Sequence, residues 1–255
     1  MRCLVISNVY FWDNFKNILK RHNPEVVLFL GDTTDYPHAF FHNAPEEIIR
    51  ESLEKKPAGK SVFEWLRVID KRYESSPDFK EAKRAHADSF YQALRNAAKV
   101  AKRVFVIKGD SDKADYSKNK ITKIKNCFEI SNKAADYKGL RFLGSVGKSI
   151  KKNKSDIILS HAPPNLWNAL LTSGAKAVFN GNFQKDLMKK GKGAVLFEVG
   201  AFPNYLLVNL DKKISASYYE AQIKSERIDF FNPLRYGRVQ FLLPKVDSWK
   251  IKKLL

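Results

Sequence analysis

Short runs of consecutive apolar residues, each closed by small polar ones, recur through the first two hundred positions of the chain. Cys3–Val9 and Val26–Leu30 are runs of this kind. They are too short for helices and show no polar alternation, which is the pattern of parallel strands buried on both faces. Between them, Phe15, Ile18 and Leu19 recur at helical spacing within residues 13–22, and Pro24 closes the segment. Strand, helix and strand in that order open an α/β sheet. Further strands are predicted at Val104–Ile107, Leu140–Leu143, Ile157–Leu159, Ala177–Phe179, Val195–Val199 and Tyr205–Leu210, with an alternating antiparallel edge at Ile214–Tyr219.

A different texture fills residues 46–99. Segments 46–56, 61–74 and 78–99 set apolar residues at helical spacing among mixed charges, with breaks at Pro57–Gly59 and Pro77. They read as a helical insertion that caps the sheet or adds a layer to it. Residues 185–193 read as a solvent-facing basic loop. Residues 1–220 are therefore expected to form one domain, and 221–255 a basic, aromatic-containing extension packed on it or on a partner. No apolar run is long enough for a transmembrane helix. The first residues, MRCLVISNVYFW, lack a secretory cleavage pattern and read as a core strand.

A chain of 255 residues that is 44% hydrophobic has ample material for a core. Cys3 and Cys127 stand in apolar contexts and are read as small buried hydrophobes in a reducing, cytoplasmic compartment. Charge changes the picture more. Of the net +19, residues 1–100 supply only +2, from 16 Lys or Arg and 14 Asp or Glu, whereas residues 101–255 carry 30 against 13. A small anionic substrate needs only a few cations; a field of this size suits an extended polyanion, either nucleic acid or an anionic membrane surface. Lys outnumbers Arg in that half, which favours diffuse phosphate contact over bidentate base reading. The candidate contacts are Lys148, Lys151, Lys152, Lys154, Lys189, Lys190, Lys192, Arg235 and Arg238, the last two beside Phe230, Phe231 and Tyr236.

In an α/β sheet, ligands collect beyond the carboxyl ends of the strands. Five predicted strands end on polar clusters: Asn8 and Tyr10; Gly31-Asp32-Thr33-Thr34-Asp35; Gly109-Asp110-Ser111-Asp112; Ser160-His161-Ala162-Pro163-Pro164; and Asn180-Gly181-Asn182-Phe183-Gln184. In this order LGDTTD, KGDSD and SHAPP resemble the motifs of the calcineurin-like metallophosphoesterase family, over roughly residues 1–215. The resemblance implies a four-layered α/β-β-α sandwich with two mixed β-sheets. It also implies two divalent metals that share one Asp and activate the attacking hydroxide.

Carried over by position, Asp32 is the bridging carboxylate. Asn8 and Tyr10 stand where the first motif has Asp and His, and Gln184 where the last motif has its terminal His. The first metal is thus expected to be missing. The second keeps Asp32, Asp110 in place of Asn, His161, and Asn182 in place of His, a set suited to one manganese, zinc or magnesium ion, or to none. Ser111 replaces the histidine that protonates the leaving oxygen, and Asp112, which would orient it, is left without that partner. Glu198 is expected near the old phosphate pocket. His22, His38, His42 and His86 are not spaced as a ligand set and read as surface residues. Gly144–Ser149 imitates half a phosphate loop and reads as a strand-end turn.

The leading expectation is a catalytically silent phosphoesterase-fold protein that binds nucleic acid or a ribonucleoprotein. A divergent single-metal phosphodiesterase or nuclease, and a protein-binding scaffold, are the alternatives.

Overall fold

The computed structural model describes residues 1–9, 12, 14–34, 77–110, 112, 116–146, 155–182, 187–191, 193–200, 202, 204–211, 214–232 and 237–254, with isolated positions between 54 and 75. The predicted helices at 46–56 and 61–74 lie outside the described residues. Two compact units divide the chain: Met1–Asp35, His86–Glu220 and Lys250–Leu255 form the first, Tyr36–Ala85 and Ala221–Trp249 the second.

In chain order the elements are β1 (Arg2–Ile6), α1 (Phe15–His22), β2 (Val26–Phe29), α2 (Pro77–Val100), β3 (Arg103–Val106), α3 (Lys118–Thr122), β4 (Cys127–Glu129), β5 (Ala134–Tyr137) and β6 (Leu140–Val146). After β7 (Ile157–His161) come a short 3-10 turn (Pro164–Leu166), α4 (Trp167–Leu171), β8 (Ala177–Asn180), β9 (Leu187–Lys190), β10 (Val195–Glu198), β11 (Tyr205–Leu210), β12 (Ile214–Asn232) and β13 (Gly237–Leu254). One sheet has the order β13-β12-β11-β1-β2-β3-β4 and the other β5-β6-β7-β8-β10-β9. Both are mixed: β1–β4 and β6-β7-β8-β10 run parallel, whereas β11 against β1 and β12, β5 against β6, and β9 against β10 run antiparallel.

Side-chain alternation explains the layers. Cys3, Val5, Val26, Leu28 and Phe105 face the second sheet and share one core with Phe142, Ile157, Leu159, Phe179 and Phe197. On the outer face of the first sheet, the Phe29 ring sits 5.9 Å from Phe15 of α1 and 6.0 Å from Phe90 of α2, with Trp12 among them. Helix α2 reaches that face because Ala87, Phe90, Tyr91, Leu94 and Ala97 recur at helical spacing and are buried. The outer face of the second sheet packs Leu143, Ile158, Val178 and Leu196 against Trp167, Leu170 and Leu171. Helix, sheet, sheet, helix is the four-layered sandwich expected, with strands buried on both faces and hence without alternation in the sequence.

Four expectations change. The basic loop at 185–193 contains β9, an edge strand whose lysines are exposed. The 214–219 strand is not an edge, because β13 lies outside it. The strands β4 and β5 were not expected at all. Gly144 is inside β6 rather than in a turn, and a Cβ there would lie 2.1 Å from the Ile130 carbonyl oxygen. Both cysteines are buried and unpaired as read, and burial pushes the Cys3 thiol up to about 12. Among the described residues, no helix is long and apolar enough to cross a membrane.

Candidate metal centre

The ends of β1, β2 and β3 are drawn together by glycines. Gly31 follows β2 at φ 89°, and Asp32 at φ 50° continues in the left-handed region, which Gly and Asp tolerate better than most residues. Asn8 at φ 47° makes the matching bend after β1. Backbone bonds join the two loops, from Asn8 N–H to Gly31 O at 3.2 Å and from Val9 N–H to Asp32 O at 2.9 Å. A Cβ on Gly31 would lie 2.5 Å from Gly109 Cα, and one on Gly109 would lie 2.0 Å from Asp32 Oδ1. Only two glycines permit this approach, and it is what brings the acids that follow them together.

Asp32, Asp110 and His161 then offer ligand atoms that all lie within 4.8 Å of one another. The His161 ring donates from Nδ1 to the Leu30 carbonyl at 2.6 Å, which turns Nε2 toward Asp110 Oδ1 at 3.1 Å and Asp32 Oδ2 at 3.2 Å. Burial opposes charge on this imidazole, but the hydrogen bonds to Asp110 and Asp32 outweigh it and raise the pKa to about 10. The His161 hydrogen bond in turn lowers Asp110 to about 2. The imidazole side chain is fully buried, whereas that of Asp110 is 72% exposed, so the cluster is rooted in the core and open on one side. Two carboxylates and an imidazole whose second nitrogen is fixed by a carbonyl form a fitting donor set for a divalent ion.

The remaining positions divide. Asn8 is buried, donates from Nδ2 to the Gly181 carbonyl at 2.5 Å, and leaves Oδ1 without a hydrogen bond. A neutral amide tied to the backbone thus stands where the resemblance places a carboxylate. Asn182 follows Gly181, whose lack of a Cβ admits Ser7 Oγ. Tyr10, Ser111 and Gln184 lie outside the described residues, as do Lys148, Lys151, Lys152, Lys154, Lys192, Arg235, His38 and His42. Arg238 lies on β13, and Lys189 and Lys190 on β9, the Lys189 ammonium 5.9 Å from the centre of the Trp167 ring.

Asp112, without the histidine that the resemblance gives it, is 1% exposed and stitches two loops. Its Oδ1 accepts from Thr33 N–H at 2.8 Å, Thr34 N–H at 2.7 Å and Thr34 Oγ1 at 2.9 Å, while Oδ2 accepts from Gly109 N–H at 2.8 Å. The surface reading of His22 and His86 is overturned, since both are buried. His22 Nε2 lies 2.7 Å from the Tyr205 hydroxyl, and the pKa of each histidine is lowered chiefly by burial. Sequence reasoning placed Asn180 in a strand-end polar cluster but gave it no role; its Oδ1 accepts from Ala162 N–H at 2.8 Å and its Nδ2 donates to Ala162 O at 2.9 Å, fixing the residue after His161. The same amide donates to Glu198 Oε2 at 2.5 Å. Glu198 is fully buried, and this pairing gives it a structural partner.

The fold is that of the calcineurin-like phosphoesterases, and a candidate site of two carboxylates and a histidine stands at its strand ends. A Staphylococcus aureus protein named as a 5′-nucleotidase, solved with α-ketoglutarate, superposes with a TM-score of 0.50 at 9% identity, over 97% of this chain and 54% of that one. An archaeal phosphodiesterase matches with a TM-score of 0.44 at 10% identity over 95% of this chain and all of its own. Zinc-bound Vps29 of Entamoeba histolytica gives 0.45 at 13% identity, over all of this chain and 98% of that one. No protein-family model and no curated protein sequence matches.

Proposed function

We propose that this chain is a phosphoesterase-fold protein that holds one divalent cation on Asp32, Asp110 and His161 and binds single-stranded nucleic acid without turning it over as a two-metal phosphoesterase does. The observation that carries this reading is the composition of the strand-end cluster. Among the described residues it is the one group of His, Cys, Asp and Glu that could hold a metal, and the neighbouring Asn8 is an amide committed to the Gly181 carbonyl. Two-metal catalysis needs anionic ligands for both ions, and an amide is a weak substitute. Ser111 supports the same reading, because a hydroxyl does no acid–base work near neutral pH. The excess of cations in residues 101–255 supports a polyanionic partner.

Calorimetry with manganese and zinc tests the metal, with Asp32→Ala as control. About one ion per chain, absent in the variant, is expected. A phosphodiester hydrolysis assay with the same ions tests the silence. Metal-dependent turnover lost in Asp32→Ala would replace this proposal with a single-metal phosphodiesterase or nuclease, a second reading favoured by the exposure of Asp110 at the mouth of the cluster.

A further inference from the structure

The two sheets each end in a short strand on the same stretch of chain. β4 is the last strand of the first sheet and β5 the first of the second, joined by Ile130–Lys133. Edge strands in soluble proteins normally carry charge and avoid exposed aromatics. Here β4 does not: Phe128 is 40% exposed, one of two large hydrophobics so exposed among the described residues. Its ring is held from behind by Phe105, with centres 6.0 Å apart. The Arg103 guanidinium lies 5.3 Å from the centre of the Phe128 ring and 5.2 Å from that of Tyr137 on β5, so aromatic, cation and aromatic form a ladder linking the two edges.

Exposed Lys102, Lys123 and Lys125 flank the ladder in sequence. The nearby acid Glu25 is already engaged, accepting from the Tyr137 hydroxyl at 3.0 Å and paired with Lys138. Glu129 of β4 is buried. A partly exposed aromatic ring with exposed lysines beside it in sequence suits a partner that carries both flat rings and phosphates.

We propose that Phe128, Arg103 and Tyr137 form a stacking platform for single-stranded nucleic acid, with Lys102, Lys123 and Lys125 contacting its phosphates. This rests on the nucleic-acid reading above and names the surface that serves it. Bases stack on Phe128 and the guanidinium plane regardless of sequence, so binding is tolerant of base identity and sensitive to salt.

Fluorescence anisotropy of a fluorescein-labelled oligouridylate with the full-length protein tests the platform. Phe128→Ala is expected to weaken binding about 5- to 150-fold, the loss seen when a stacking ring is removed. Phe128→Trp is expected to keep the parent affinity, and Leu187→Ala, at the other exposed apolar residue, to leave it unchanged. Lys102→Ala with Lys125→Ala is expected to flatten the log–log salt dependence by about 0.7 per charge removed. Circular dichroism checks that each variant is folded, and Phe128, being partly exposed, tolerates truncation. If the parent binds and folded Phe128→Ala binds equally, the platform is refuted while nucleic-acid binding stands. If the parent does not bind at all, both fall, and a protein becomes the occupant to seek.

Discussion

Asp112→Asn is the sharpest perturbation the structure offers, because it keeps shape and changes only what the carboxylate accepts. In the native chain five donors converge on this side chain, four on Oδ1 (the Thr33 hydroxyl the longest, at 3.5 Å) and one on Oδ2, in a setting 1% exposed. An amide has one acceptor oxygen. If that oxygen keeps the Thr33 and Thr34 bonds, the new NH2 faces the Gly109 N–H, donor against donor. One buried donor left without a partner costs about 1–3 kcal/mol, and the surviving bonds to Thr33 and Thr34 lose their charge assistance. We expect roughly 2–4 kcal/mol in all for Asp112→Asn, and about 3–5 kcal/mol for Asp112→Ala, which strips every donor of its acceptor. Thr34→Val, which removes only the Oγ1 donor, is expected to cost about 1 kcal/mol.

Urea denaturation followed by circular dichroism reads these losses as a fall in midpoint at constant m. The same carboxylate ties the residues after Asp32 to the residue before Asp110, so calorimetric manganese affinity is expected to drop about 10- to 100-fold in Asp112→Asn. An Asn variant within about 0.5 kcal/mol of the parent, with unchanged metal affinity, would refute the idea that this carboxylate sets the loops.

Three further outcomes follow from the same geometry. Gly109→Ala places a methyl 2.0 Å from Asp32 Oδ1 and 2.2 Å from Asp32 N, so metal uptake in calorimetry is expected to vanish and the urea midpoint to fall. His22→Leu removes the hydrogen bond to Tyr205 and is expected to cost about 1–3 kcal/mol at pH 7.5. Burial lowers the folded pKa of His22 below the ordinary 6.5, so the histidine's contribution is full above that pH and shrinks as pH falls toward the folded value; the midpoint difference between parent and variant should narrow at pH 5.5. Cys3 and Cys127 are both buried, with thiols pushed up to about 12, and should stay silent to a thiol reagent at pH 8 until urea unfolds the chain.

The sandwich was legible because its strands are buried on both faces. Runs such as Val26–Leu30 and Ile157–Leu159 have no polar position to obscure them, and the first stops at the glycine that opens the Asp32 loop. The short edges escaped for the converse reason. β4, with Cys127 and Glu129 buried and Phe128 exposed, and β5, with Ala134 and Asp136 exposed, show too few alternations to stand out from loops. β9 carries lysines because it is an edge, so its charge, read as a loop signal, was the ordinary protection of an unpaired strand.

At the site, the sequence disclosed which residues converge but not what each side chain touches. Asp32 and Asp110 are legible because they follow neighbouring parallel strands of the first sheet, and His161 because it closes β7 of the second. The partners of Asp112 and Asn180 are backbone groups of neighbouring loops, and backbone groups leave no mark on composition. His22 and His86 misled for a related reason: polar side chains are tolerated in a core only when something compensates them, and for His22 that is a tyrosine 183 residues away. Asn8 carries the most weight in this comparison. Its sequence position announced a missing carboxylate, and the structure adds that its amide joins the β1 loop to Gly181 after β8. An Asp at this position would be acceptor-only and would face the Gly181 carbonyl, acceptor against acceptor. The Ser7 hydroxyl also donates to that carbonyl at 2.7 Å, so the carbonyl keeps one donor, but the opposed acceptors mean that Asn8→Asp alone should lower the urea midpoint before it adds any metal.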